Sequence, residues 1–225
     1  MLQRVGAGEL PETIRLSRPE PMVAFGKQDA VAPGYAEAAA AARERGFDPV
    51  LRLAGGRAAV FHEGTIGLAH AVPEEQPRAR IRARFESTAG AIERALRGLG
   101  ADARVGEVTG EYCPGTWSVN ARGAVKLAGV GQRLIARAAH VGVVVVVADA
   151  ARVRDVLEPV YAALALDWDP DATGEVAAEA PGTTWEQVRD ALLAEYAREH
   201  ELVPVGVDER TLELALELVE EHRAG

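Results

Sequence analysis

The chain contains a single cysteine, Cys113, set in the segment Gly110-Glu111-Tyr112-Cys113-Pro114-Gly115-Thr116-Trp117-Ser118-Val119-Asn120. A thiolate is a potent nucleophile, able to take an acyl group into a thioester. Pro114 disfavours helical backbone at the residue before it, which predicts an extended Cys113, and Gly115 lets the chain reverse. The thiol is therefore expected to project from a rigid loop. The alternative is a small buried hydrophobe, the usual fate of a free cysteine, although loops are seldom buried.

A nucleophilic cysteine needs cations or main-chain donors beside it. The nearest cations along the chain are Arg122, Lys126 and Arg133, in and around Gly123-Ala-Val-Lys126-Leu-Ala-Gly129-Val-Gly131-Gln-Arg133. Lys126 stands out because the chain has 25 basic residues and Lys27 is the only other lysine. It interrupts an apolar strand, where it either serves a ligand's oxygen or faces solvent from an edge strand, alternating with Val125 and Leu127.

A second cluster is Arg52-Leu-Ala-Gly55-Gly56-Arg57-Ala-Ala-Val-Phe-His62-Glu63-Gly64. Paired glycines let backbone amides approach a ligand's oxygen, and Arg52 and Arg57 are suited to carboxylate or phosphate. The same glycines also fit an ordinary hairpin turn. Gly129 and Gly131 lack the spacing and helix start of a dinucleotide loop. The five histidines, His62, His70, His140, His200 and His222, show no metal-ligand spacing, so no metal site is expected. His62 and His140 are candidates to assist Cys113, or else structural.

The elements that must position these groups follow from periodicity. Strands are predicted over Pro21–Phe25, Val50–Leu53, Ala58–Phe61, Ile66–Val72, Val105–Thr109, Ala124–Ala128, Leu134–Ala138 and Val141–Ala148, with glycines marking the turns. An Ala-rich helix is predicted from Tyr35 to Arg45. Ile81, Phe85, Ala89, Ile92, Leu96 and Leu99 recur at helical spacing and predict a helix with one face on a sheet. Asp149 is expected to cap a helix reaching about Leu164, and Thr183 with Glu186 to form a capping box for Trp185–Glu199. Asp167–Thr184 reads as a solvated connection, and Thr211–His222 as a last acidic helix.

Composition narrows the function classes. The 225 residues, 48% apolar, fit one α/β domain spanning 1–225, with a mixed sheet flanked by helices. One cysteine excludes a disulfide framework and a cysteine-rich zinc site. The apolar run Val143–Val147 is far too short to span a membrane, and the first residues lack a secretory pattern, so a cytoplasmic location with no membrane partner is expected. A net charge of −9 argues against nucleic acid. The charge is uneven, however: Arg78 to Arg137 holds 11 basic and 5 acidic residues, whereas Asp167 to the end holds 4 basic and 16 acidic. The middle of the chain is thus suited to an acidic partner.

The glycine cluster Arg52–His62 and the lysine strand Val125–Arg133, in that order, resemble the biotin/lipoate protein ligase superfamily. Within it, Glu111-Tyr-Cys-Pro-Gly115 resembles the cysteine-dependent octanoyltransferases, especially the amidotransferases that move octanoyl groups from the glycine-cleavage H protein. The resemblance runs from about Pro21, through Phe25-Gly-Lys-Gln-Asp29, to about Leu164. Two departures stand out: Arg57 occupies the place of a usual glycine or apolar residue, and His62-Glu63 replaces an acidic pair.

The resemblance implies a sheet lining an acyl tunnel, with Cys113 as nucleophile and Lys126 as donor to the acyl oxygen. It also places Arg52, Gly55, Gly56, Arg57, His62, Gly129 and Gly131 around the substrate. The implied partners are the glycine-cleavage H protein, the lipoyl domains of 2-oxoacid dehydrogenase E2 subunits and an octanoyl or lipoyl chain, with no cofactor. An ATP- and magnesium-dependent lipoate ligase is the alternative on the same fold. A non-catalytic module that holds lipoyl domains or an acyl ligand is a third reading, from a different class.

Overall fold

The structure is a computed structural model and describes residues 1–223. In chain order the elements are α1 (Leu2–Ala7), β1 (Thr13–Ser17), β2 (Met22–Phe25), α2 (Lys27–Ala30), α3 (Tyr35–Glu44), β3 (Asp48–Leu51), β4 (Ala59–Phe61) and β5 (Thr65–Pro73). There follow α4 (Ile81–Gly98), β6 (Ala103–Val105), β7 (Val119–Ala121), β8 (Val125–Ile135), β9 (Ala138–Val146), α5 (Ala150–Ala163), α6 (Val176–Glu179), α7 (Trp185–Tyr196) and α8 (Glu209–Glu217). Short 3-10 turns occupy Pro170–Ala172 and Val219–His222.

Six strands form an antiparallel sheet in the order β1-β5-β9-β8-β7-β6, and three form a mixed sheet in the order β3-β2-β4. The parallel pairing is β2 with β3, and β4 runs antiparallel to β2. The α/β class with helix-flanked sheets therefore agrees with the sequence reading, while the mixed pairing is confined to the small sheet.

Side chains alternate across β9, which lets one strand feed two cores. Val143 and Val145 join Ile66, Leu68 and Leu127 under Ile92 and Leu96 of α4 and Leu192 of α7. Val146 points the other way, joining Phe25 and Val60 of the small sheet and Val153, Leu157 and Val160 of α5. Each fully buried valine contributes about 1.5–3 kcal/mol. Among the described residues no helix is long and apolar enough to cross a membrane.

Several local expectations are corrected. Ala124–Ala128 and Leu134–Ala138 are not two strands: Gly129 and Gly131 lie within β8, opposite Val144 and Gly142, so neither marks a turn. The strand expected over Val105–Thr109 lies earlier, at Ala103–Val105. The capping box is one residue later, formed by Thr184 and Gln187, and its helix ends at Tyr196. Asp149 has a left-handed backbone (φ 63°) and no capping hydrogen bond, and Glu175 accepts from the Ala150 amide instead.

The segment Asp167–Thr184 is not a solvated connection. Ala172, Thr173, Val176 and Ala180 are buried, Thr173 pairs with Lys126 as a parallel bridge, and the Gly174 amide donates to the Lys126 carbonyl at 3.0 Å. The last helix begins earlier than expected and ends at Glu217, before the 3-10 turn.

Candidate active site

β3 and β4 lie on opposite sides of β2, so the connection from Arg52 to Ala58 crosses the end of the small sheet and is not a hairpin turn. Its path ends against β8, where the Gly55 amide donates to the Gln132 carbonyl at 3.3 Å. Gly131 faces the same loop, and a side chain there would stand 3.4 Å from the Gly55 carbonyl, in ordinary contact. Gly56 has φ +104°, and a Cβ there would come within 2.8 Å of the Cys113 sulfur. The glycine loop and the cysteine are therefore in direct contact, which only a residue without a side chain permits.

Cys113 Sγ receives the Arg57 amide at 3.2 Å and the Arg52 Nη2 at 3.3 Å. The same Arg52 Nη2 donates to the Arg57 carbonyl, which braces the guanidinium over the loop. A half-buried sulfur met by a guanidinium and a main-chain amide is placed to carry negative charge. The Arg57 side chain serves a different purpose: its Nη1 pairs at 3.2 Å with the buried Asp29, whose other oxygen accepts from the Gly26 amide.

Cys113 is not extended but left-handed, with φ 43°. The local preference set by Pro114 yields to tertiary hydrogen bonds. Tyr161 of α5 accepts from the Cys113 amide at 2.8 Å and donates to the Ala58 carbonyl at 3.0 Å. Burial raises the Tyr161 phenol well above its ordinary value, so the hydroxyl stays protonated and can make both bonds. A non-glycine residue in this region stores strain of order 1–3 kcal/mol, and such residues cluster at reactive sites.

Lys126 does not face solvent from an edge strand. It is 1% exposed, on a strand flanked on both sides. Its Nζ donates to Glu111 Oε1 at 3.0 Å, the Tyr112 carbonyl at 2.9 Å and the Cys113 carbonyl at 2.8 Å. It also lies 4.8 Å from the centre of the Tyr112 ring, whose phenol is raised by burial. Beside it, a side chain on Gly129 would come within 3.4 Å of Lys126 Cε.

The structure thus brings Cys113, Lys126, Arg52, Gly55, Gly56, Arg57, Gly129 and Gly131 into one region. His62 is not among them. It closes the turn between β4 and β5, where its Nδ1 accepts from the Gly64 amide at 3.0 Å and its backbone bonds Thr65. Four residues separate it from Arg57, three of them the extended β4, which runs away from the glycine loop. His140 lies on β9 against Gly142, and burial pushes it down to about 4. The hydrogen bonds to Cys113 Sγ come from neither histidine.

Glu111 and Tyr161 were not legible as site residues. Glu111 is buried in the cysteine motif itself, and a carboxylate at such a position requires a partner, which was the available signal. The basic surplus of the middle segment is partly offset as well: Arg94 pairs with Glu195 and Arg122 with Glu179, both from the acidic C-terminal part.

Residues 1–197 match the family model of the lipoyl protein ligase A/B catalytic domain. Over 131 residues, 58% of this chain and 46% of the relative, the sequence is 31% identical to an octanoyl-(GcvH):protein N-octanoyltransferase of Geobacillus kaustophilus. A protein of the same name from Anoxybacillus flavithermus is 31% identical over 135 residues, 60% of this chain and 48% of the relative. The chain spans about half the length of these curated relatives. Its fold matches lipoate-protein ligase A bound with ATP, with a TM-score of 0.73 and 19% identity over 93% of this chain and 82% of that one. It also matches a bipartite lipoate protein ligase from Thermoplasma acidophilum, with a TM-score of 0.74 and 18% identity over 97% and 85%.

Proposed function

The chain belongs to the lipoyl protein ligase A/B catalytic-domain family, and on that premise we propose that it is a cysteine-dependent acyltransferase of protein lipoylation. The observation that carries this reading is the setting of Cys113 Sγ, met by the Arg57 amide and the Arg52 guanidinium. An enzyme that works only through an acyl-adenylate has no chemical need for a thiol so placed. The curated relatives carry a transferase name, which supports the same reading.

In the first half-reaction the sulfur attacks the carbonyl carbon of an octanoyl-lysine amide. The C–N bond breaks, the thiol's proton ends on the departing lysine amine, and a thioester remains on Cys113. In the second, an acceptor lysine amine attacks that thioester and returns the sulfur. One amide replaces another, so no energy source is needed. Each tetrahedral intermediate carries an oxyanion. Lys126 Nζ reaches it by exchanging its bond to the Cys113 carbonyl for one to the acyl oxygen, and backbone amides near Gly56 and Gly129 are read as helping, the Gly55 amide being engaged by the Gln132 carbonyl.

The carriers are read as the glycine-cleavage H protein and E2 lipoyl domains, with residues 1–225 forming a single catalytic domain in the cytoplasm. The test is intact mass spectrometry after incubation with octanoylated H protein, then with an unmodified lipoyl domain. The expected result is an octanoyl adduct on Cys113 and transfer without ATP or magnesium. Transfer only from free octanoate with ATP, and no adduct, overturns it in favour of the ligase. Stable binding of the lipoyl domain with no transfer under either condition favours a non-catalytic module.

A further inference from the structure

The buried carboxylate of Glu111 takes four donors. Its Oε2 accepts the Val108 amide at 3.0 Å, while Oε1 accepts the Gly115 amide at 3.1 Å, the Ser118 hydroxyl and Lys126 Nζ at 3.0 Å. Val108 precedes the cysteine loop, and Gly115 and Ser118 follow Cys113, so one side chain closes the loop on itself and ties it to β8. Glu111 is the only ion-pair partner of Lys126 among the described residues, and the two side chains are 0% and 1% exposed.

An ammonium has three N–H donors, and those of Lys126 are spent on Glu111, Tyr112 and Cys113. It can serve a developing oxyanion only by giving one of them up. The bond to be exchanged is the one to the Cys113 carbonyl, because that residue is itself acylated. The charge-assisted bond to Glu111 is the one that persists. Resting on the transferase reading above, we propose that Glu111 is a positioning residue for the reaction. It holds the Lys126 ammonium in place while that ammonium turns from the cysteine loop to the acyl oxygen. Glu111 does not touch the substrate and acts through Lys126.

Glutamine has the shape of glutamate but cannot do this, since all four partners approach as donors and one end of the amide would present N–H groups to them. The experiment compares wild type, Glu111→Gln, Lys126→Met and the double variant. Acylation of Cys113 by octanoylated H protein is followed by intact mass, and alkylation of Cys113 by iodoacetamide is followed in parallel. The expected result is that Glu111→Gln slows acylation roughly 10- to 100-fold while alkylation changes little. In the Lys126→Met background, Glu111→Gln should cause no further loss, because the two residues act as a unit.

Wild-type acylation by Glu111→Gln, or losses that multiply in the double variant, overturns the proposal. A parallel loss of alkylation does so too, since it marks a loop that has merely collapsed. If Glu111→Gln does not fold, Glu111→Asp keeps the charge but shortens the reach by one carbon. It should then show the same selective loss of acylation, and full activity overturns the proposal. A wild-type protein that takes up no octanoyl group sinks the transferase reading itself, and this inference with it.

Discussion

The Tyr161 hydroxyl accepts a hydrogen bond from the Cys113 amide at 2.8 Å, across 48 residues of sequence, and hands its own hydrogen to the Ala58 carbonyl. One phenol therefore clamps the cysteine loop to the end of the glycine loop, just before β4. Tyr161→Phe should leave both backbone groups without their partner, costing about 1–3 kcal/mol of stability. It should also lower the rate of acyl transfer more than it weakens carrier binding. Thermal melting and a comparison of kcat with KM check this, and unchanged values for both would remove the clamp from the account.

Replacing the proposed nucleophile gives the sharpest outcome. Cys113→Ala should abolish both the octanoyl adduct and transfer, with a melting temperature close to wild type, since the side chain lies half-buried in a loop. Turnover by this variant at the wild-type rate would end the thioester mechanism.

Lys126→Arg should fail nearly as badly as Lys126→Met. A guanidinium is a planar fork and cannot place three donors on Glu111 and two carbonyls in the space of a compact ammonium. Losing one oxyanion donor costs about 100- to 1000-fold in rate, and single-turnover kinetics with octanoylated carrier measures it. A rate within a few-fold of wild type for the methionine variant would return Lys126 to a purely structural role.

Much of this arrangement was readable beforehand, for identifiable reasons. Helix α4 and the strands around Val143–Val147 carry their own period, and Cys113, Lys126 and the paired glycines carry their own chemistry. What escaped depends on distant encounters. The left-handed Cys113 is fixed by Tyr161 and Arg57, which overrule the local preference set by Pro114. Gly129 and Gly131 read as breaks between strands, yet both pair within β8, opposite Val144 and Gly142 of β9, a register set by residues far along the chain. His62, placed around the substrate by the resemblance, sits instead at the turn between β4 and β5, bonded to Gly64 and Thr65.

Gly56→Ala tests the contact between the glycine loop and Cys113. Its added carbon would fall 2.8 Å from Cys113 Sγ and 2.5 Å from Arg52 Nη2, at a φ of +104° that alanine rarely adopts. Displacing a reacting group by about 1 Å can cost on the order of 100-fold, so acylation should fall by that order. The alkylation rate of Cys113 should change with it, because the Arg52 and Arg57 donors move too. An alanine variant with wild-type acylation would show that the loop can retreat at no cost.

A pH effect on stability follows from His140. Burial, with Arg133, His70 and the N-terminus adding to it, lowers this group from 6.5 to about 4. In the folded state it therefore binds fewer protons than in the unfolded chain between those values. Stability is full above about 6.5 and falls with pH through that window, with a limiting slope of ~1.4 kcal/mol per pH unit. Denaturant titrations of wild type and His140→Gln should show a flatter acid limb in the variant, and identical limbs would rule the group out as a contributor.

The burial of Lys126 has one more consequence, for side reactions. A protein that carries an acyl thioester and delivers it to lysine amines is exposed to modifying itself. Of its two lysines, Lys126 is sealed beneath the cysteine loop with all three donors engaged, and only Lys27 lies open to solvent. Its remaining surface cations are arginines, whose guanidinium groups stay protonated and do not attack thioesters. On the proposed thioester route, Lys27 is then the one lysine among the described residues that is open to compete with a carrier for the acyl group.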